Sequence, residues 1–258
     1  MEEKIEYRGF TINVYRDEFA ENPLEYTSIA TFVCDHPRYK LGHTHDIEAA
    51  VNRLFDKYIT NRQVINYFIQ SRHAVLVNNN DDEDYPYYYQ WKEACSYSKT
   101  PITRYIDYNP DDEDEAAANM VEEFSIGDKL DMLEECDDLL IETISAYEHG
   151  GIMLFLGTPS SRYSYGCLWD TGVLGFAYVE RLTAKDDDWK ERAQKAMEVE
   201  MRDYNAFLQG EVYGYYIEED ANGEEFDPGC GGYIGEDGYE EIIATAKRTI
   251  DYELDLKQ

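Results

Sequence analysis

Residues 139–157 read LLIETISAYEHGGIMLFLG. Two apolar runs, LLIETISAY and IMLFLG, flank the tetrapeptide EHGG. Runs of this kind, rich in β-branched and aromatic residues, read as strands. Gly150-Gly151 gives the backbone freedom that a tight hairpin turn needs. Two strands joined by a tight turn are therefore expected here. Beyond it, GVLGFAYVE (172–180) and EVYGYYIEE (211–219) read as further strands. Between them, Asp186 to Leu208 places Trp189, Ala193, Ala196, Met197, Met201, Tyr204 and Leu208 on one side of a helix. A Gly-rich stretch (222–238) reads as a loop, and YEEIIATAKRTIDYEL (239–254) as a last helix.

Working toward the N-terminus, FTINVY (10–15) and YTSIATFVC (26–34) read as strands separated by a turn at Asn22-Pro23. Asp46 caps a helix over IEAAVNRLFDKY, NRQVINYFIQ (61–70) forms a second, and RHAVLV (72–77) reads as a buried strand. NNNDDEDYPYYYQW (78–91) reads as a long loop. Residues 111–136 read as helical, and SIGDKLDMLEECDD (125–138) opens a further helix. Strands and helices mix without regular βαβ alternation. The expected class is α+β: a mixed antiparallel sheet with flanking helices and an acidic helical and loop insertion. Three regions are expected, able to pack as one domain: an α/β unit at 1–78, an acidic region at 79–138 and an α+β core at 139–258.

The formal net charge is −32 on 258 residues, from 55 acids and 23 bases. Its placement is uneven. Residues 81–148 hold 21 acids and four bases, and residues 203–241 hold 12 acids and no base. A folded chain this acidic repels itself, so the charge points to a function that uses it. Solubility in a small domain needs a net charge of only about 2–8. The 24 tyrosines and 43% hydrophobic content argue against an acidic disordered chain, which is poor in aromatics. Direct nucleic-acid binding, which needs basic phosphate contacts, and anionic membrane surfaces are disfavoured. A basic protein surface, a metal cation or a high-salt environment remains.

No segment reaches the roughly 18 apolar residues of a membrane span, and MEEKIEYRGF does not read as a signal peptide. Five cysteines (Cys34, Cys95, Cys136, Cys167, Cys230) with no CxxC pair support neither a zinc knuckle nor a disulfide framework. Free thiols and a cytoplasmic location are expected.

Tyr147, Glu148, His149 and Gly151, followed by Cys167, Trp169, Asp170, Gly172, Val173 and Gly175, form a pattern. It resembles a group of uncharacterised phage and mobile-element proteins with a D-H-S-G turn and a C-P-W-D-S-G-x-V-G segment. DYNAFLQGEVYGYYIE (203–218) is similar to the Y-D-x-Y-L-x-G-E-V-Y-G-Y stretch of that group, and HPRYKLGHTHD (36–46) to its H-R-R-Y-x-L-G-D-x-H-D. The chain departs from the pattern at Glu148 (Asp in the group), Gly150 (Ser), Leu168 (Pro) and His43 (Asp). The resemblance implies a shared fold and a mobile-element origin, and no reaction.

Several constellations carry chemistry. Asp128, Asp131, Glu135 and Asp138 fall at i, i+3, i+7 and i+10. On one helix face this sets a carboxylate every ~5 Å, against one phosphate per ~3.4 Å of a DNA strand. Asp111, Asp112, Glu113, Asp114 and Glu115 cluster at a helix start. Asp81, Asp82, Glu83 and Asp84 adjoin a tyrosine-rich run in which Tyr88 and Trp91 are the expected anchors. A solvated acidic coat is the plain counter-reading. His43, His45 and Asp46, with His36 upstream, have residue types that ligate Zn or Fe; Asp46 is equally a helix cap. His149, Cys167 and Asp170 have the residue types of a nucleophile, base and orienting acid. They read equally as a turn histidine, a buried thiol and a loop-fixing acid. The scattered acids from Asp220 to Asp227 lack the register of a calcium loop.

The expected function is a non-enzymatic nucleic-acid mimic, an anti-restriction or anti-CRISPR type inhibitor that needs no cofactor and binds the basic groove of a host defence protein. The alternative is a metal-dependent hydrolase using His43, His45, Asp46 and His149. A homo-oligomer stays open.

Overall fold

The computed structural model describes residues 3–26, 28–78, 86–94, 97, 100–159, 170–181, 188–220 and 223–256. The strands are β1 Glu3–Tyr7, β2 Phe10–Arg16, β3 Thr31–Cys34, β4 Val75–Asn78, β5 Tyr87–Glu93, β6 Ile102–Tyr108, β7 Leu139–Glu148, β8 Ile152–Leu156, β9 Thr171–Glu180, β10 Val212–Glu219 and β11 Glu225–Ile234. The helices are α1 Ile47–Tyr58, α2 Asn61–Arg72, α3 Glu113–Glu122, α4 Ile126–Glu134, α5 Trp189–Leu208 and α6 Gly235–Leu256.

The α+β class holds, with the described strands in three antiparallel sheets. Two compact units emerge: residues 1–45 with 140–258, and residues 46–139. In the second unit α1 and α2 pack with the segment expected as an acidic region, and Phe55, Val64, Ile65 and Phe68 share one core with Trp91 and Met120.

The discontinuous unit contains two sheets. The first has the order β1-β2-β10-β11, with α6 laid on it. Helix positions Ile242, Ala246 and Ile250, four apart, bury against Phe10, Ile12, Val14, Tyr215 and Ile217. The second has the order β3-β9-β7-β8. Its core joins Phe32, Ile144, Ala146, Leu154 and Ala177 to Ala193, Met197, Met201 and Tyr204 of α5, the apolar helix side legible in sequence. Two glycines make this packing close. A Cβ on Gly175 would lie 2.0 Å from the Val33 carbonyl oxygen, and one on Gly42, which has φ +67°, 2.6 Å from that of Phe32.

The expected hairpin is present, with Glu148 paired to Ile152 across a His149-Gly150-Gly151 turn. β8 is an edge strand, and the Asn205 side chain acts there as a one-residue neighbour. Its Nδ2 donates to Leu154 O and its Oδ1 accepts from Leu154 N, both at 2.8 Å. An open edge invites pairing with other chains, and Asn205 closes it at its centre.

The contiguous unit carries the sheet β4-β5-β6. One face packs Tyr89 and Trp91 against α2 and α3; Trp91 meets Phe68 edge-on, with ring centroids 5.1 Å apart. Residues 78–91 are therefore not wholly a loop, since β5 begins at Tyr87. The strand expected at 72–77 is shifted and exposed: His73 caps α2 in the left-handed conformation, and Val75 is 63% exposed. The span 111–136 is two helices, α3 and α4. The Gly-rich stretch after 222 contains β11, and α6 starts four residues earlier than the sequence reading, at Gly235.

Candidate functional site

The acidic residues divide by what their carboxylates do. Asp112 is the N-cap of α3 and accepts from Glu115 N at 3.0 Å. Asp114 accepts from Asn61 Nδ2 at 2.6 Å. Asp111, Asp112, Glu113, Asp114 and Glu115 are all exposed. Negative charge at a helix start is favoured by the helix dipole, so this block is both stable and outward-facing. No Lys or Arg forms an ion pair with Asp111, Asp112, Glu113 or Asp114 among the described residues.

The stripe from Asp128 does not persist as one helix face, because α4 ends at Glu134. Glu135 is the cap residue beyond it, and Asp138 lies in the turn before β7. Asp128 is structural. It completes a capping box with Ser125 and meets Arg72 Nη2 at 3.1 Å. Burial raises its pKa, but the hydrogen bonds from Ser125 and the charge of Arg72 outweigh that and hold it below the ordinary carboxylate value. Asp131 accepts from the Tyr67 hydroxyl at 3.2 Å. Burial first, then Asp131 and Asp128, push the Tyr67 phenol up to about 12.

Trp91 is 7% exposed and belongs to the core, so it is no surface anchor. Strand alternation puts Tyr88 on the opposite face. There it meets Tyr105 at 6.3 Å and borders a hollow of about 320 Å³ with Gln90 and Asp107. Tyr105 is 71% exposed. Asp81, Asp82, Glu83, Asp84 and Tyr85 lie outside the described residues, as do Cys95, Cys167 and Trp169.

The histidines have other work. His43 Nδ1 accepts from Phe32 N at 2.9 Å, which leaves Nε2 to donate to Leu24 O at 3.1 Å. With both nitrogens engaged, this ring fastens a loop and offers no lone pair to a metal. Asp46 caps α1 through Ala49 N at 2.9 Å. His149 is exposed and lies 3.6 Å from Asp170. His43, His45, Asp46 and His149 do not assemble as ligands: among the described residues no group of three or more His, Cys, Asp or Glu is placed to hold a metal ion.

His36 was the less emphasised histidine in sequence, yet it is the buried one. Its Nδ1 accepts from the backbone N–H of Arg38 and Tyr39, each at 3.1 Å. Nε2 therefore carries the proton donated to Glu148, at 2.7 Å. Arg38 pairs with the other Glu148 oxygen. The His36 hydrogen bond first, with help from Arg38, holds the Glu148 carboxyl below its usual value although burial pushes the other way. Two sequence stretches singled out by the resemblance thus meet here.

A further site has no sequence precedent. A cleft of about 740 Å³ opens between β8, the end of α5 and the start of α6. Its floor is Met153, Leu156, Met201 and Ala206, and its rim carries Glu198, Asp203, Glu211, Glu236 and Asp237. Arg202 spans this rim, reaching Asp203 and Asp237 at 3.1 Å each. The base-free run after Arg202 was its only sequence signal.

No family model, curated protein or solved structure matches this chain. Among the described residues no helix is long and apolar enough to cross a membrane.

Proposed function

We propose that the protein is an acidic, non-enzymatic inhibitor of mobile-element origin that occupies the basic nucleic-acid groove of a host defence protein of the restriction or CRISPR type. One observation supports this most. In the contiguous unit, three bases are engaged away from α3, while Asp111, Glu113 and Asp114 have no ion-pair partner among the described residues. Arg72 is held by Asp128 and Arg104 by Glu93 at 2.9 Å, and Lys129 reaches Asn52 at 2.7 Å while lying over the Phe55 ring. Asp111, Glu113, Asp114 and Glu115 face solvent, and Tyr88 with Tyr105 offers flat aromatic surface in the same unit. The carboxylates stand for phosphates, and the pair of Tyr88 and Tyr105, on the sheet face opposite the one that packs on α3, is a separate aromatic surface.

The test is competition. At low salt, excess protein displaces labelled DNA or RNA from a basic defence effector, and the effect fades as salt rises, because steering by charge is screened. A variant with Asp111→Asn, Glu113→Gln, Asp114→Asn and Glu115→Gln retains the Asp112 cap and should compete at least about tenfold more weakly. If the wild-type chain displaces nucleic acid from no such effector at low salt, the reading is wrong.

A further inference from the structure

We propose that the cleft between β8, α5 and α6 receives a short arginine- or lysine-bearing segment of a partner protein. This shares the basic-partner premise of the proposed function but uses different residues in the other unit. Its volume of about 740 Å³ lies within the ~300–1,000 Å³ of ligand-binding clefts. The apolar floor suits the methylene stem of a long basic side chain, which packs on apolar surface while its charged head stays polar. The rim suits the head.

The cleft already holds one guanidinium. Arg202 bridges Asp203 on its own helix and Asp237 in the first turn of α6, meeting one oxygen of each carboxylate. Glu211 and Glu236 face the same space and have no ion-pair partner among the described residues. The resident arginine therefore answers two of the five rim carboxylates, and Glu211 and Glu236 remain open to a second cation.

Other occupants fit less well. An anion meets five carboxylates. A purely apolar ligand would strip water from those charges without replacing it. An added β-strand finds the centre of the β8 edge taken, since Asn205 already bonds both polar groups of Leu154. A side chain entering from a segment that crosses the rim meets none of these obstacles.

The test uses the full chain and a fluorescein-labelled hexapeptide bearing three arginines, followed by anisotropy at low salt. An Ala-for-Arg hexapeptide is the control. Melting curves confirm that each variant is folded. Glu211→Gln with Glu236→Gln is expected to weaken binding about tenfold or more, since each ionic hydrogen bond contributes strongly. Arg202→Gln removes the resident competitor and is expected to tighten binding severalfold. Asp111→Asn with Glu113→Gln removes equal charge from the other unit and is expected to change binding less than about twofold. Equal weakening by both pairs would reveal a diffuse acidic attraction and overturn the proposal. So would unchanged binding in the Glu211/Glu236 variant, or no tightening on loss of Arg202. Peptide capture by the cleft without displacement of nucleic acid from any effector would leave this site standing and the inhibitor reading fallen.

Discussion

At the scale of single residues, the stretches that drew notice in sequence are largely scaffold. Gly42 sits in the left-handed region with its Cα against the Phe32 carbonyl, and its N–H donates to the Tyr204 hydroxyl at 3.0 Å. Gly42→Ala adds both backbone strain and a clash. It should cost about 2 kcal/mol or more, read as a lower urea midpoint with an unchanged slope. Gly42, His43 and Tyr204 were legible as a pattern, but their roles were not. The partners of His43 are a backbone N–H at Phe32 and a carbonyl at Leu24, and sequence does not show which loops close on which strands. The same holds for Trp91. Tyr and Trp serve core and contact surface equally well, and only strand alternation decides that Tyr88 faces out while Trp91 faces in.

At the scale of elements, α4 shows a carboxylate used for architecture. The Ser125 hydroxyl accepts from Asp128 N at 3.1 Å, and Asp128 accepts in return from Ser125 N at 2.8 Å. Asp128→Asn should destabilise the fold by about 1–2 kcal/mol near neutral pH. The folded carboxyl titrates below its ordinary value of 3.8. Its contribution is therefore complete above the unfolded value and is lost as pH falls through the lowered one. Chemical denaturation of both proteins across that range should show their difference shrinking on acidification. A difference that stays constant would mean the charge is not what matters. Helix caps and the α5 apolar side were legible because they depend on local spacing. β5 and β11 were not. The acidic lead-in to YYYQW and the Pro-Gly-Cys-Gly-Gly of β11 carry loop chemistry, and long-range pairing to β6 and β10 overrides it. The apparent carboxylate stripe failed for a related reason: periodicity assumes that the helix continues, and this one stops at Glu134.

For the whole molecule, a charge of −32 works against compactness. The described ion pairs engage only part of the acidic surface, so repulsion among the rest should dominate. The melting temperature should rise by several degrees as sodium chloride increases from about 0.01 M to about 1 M, over which the screening length falls from about 30 Å to about 3 Å. Scanning calorimetry across that series checks this; a flat or falling melting temperature would show that attractive pairs outweigh repulsion. The sequence revealed the acidic blocks but not their separation into two units, because it does not show that residues 46–139 interrupt a fold whose halves lie on either side.

That interruption bears on how the chain is made. β2 pairs with β10, with Tyr15 opposite Gly214, so the N-terminal hairpin leaves the ribosome roughly 200 residues before its neighbour does. At about 5–20 residues per second, it waits about 10–40 seconds with one edge unpaired. Residues 46–139 are contiguous and can close first. The nascent chain thus passes through a stage in which a finished middle unit trails an orphaned hairpin. Mutual repulsion between neighbouring acidic chains would keep such hairpins from pairing with one another during that delay.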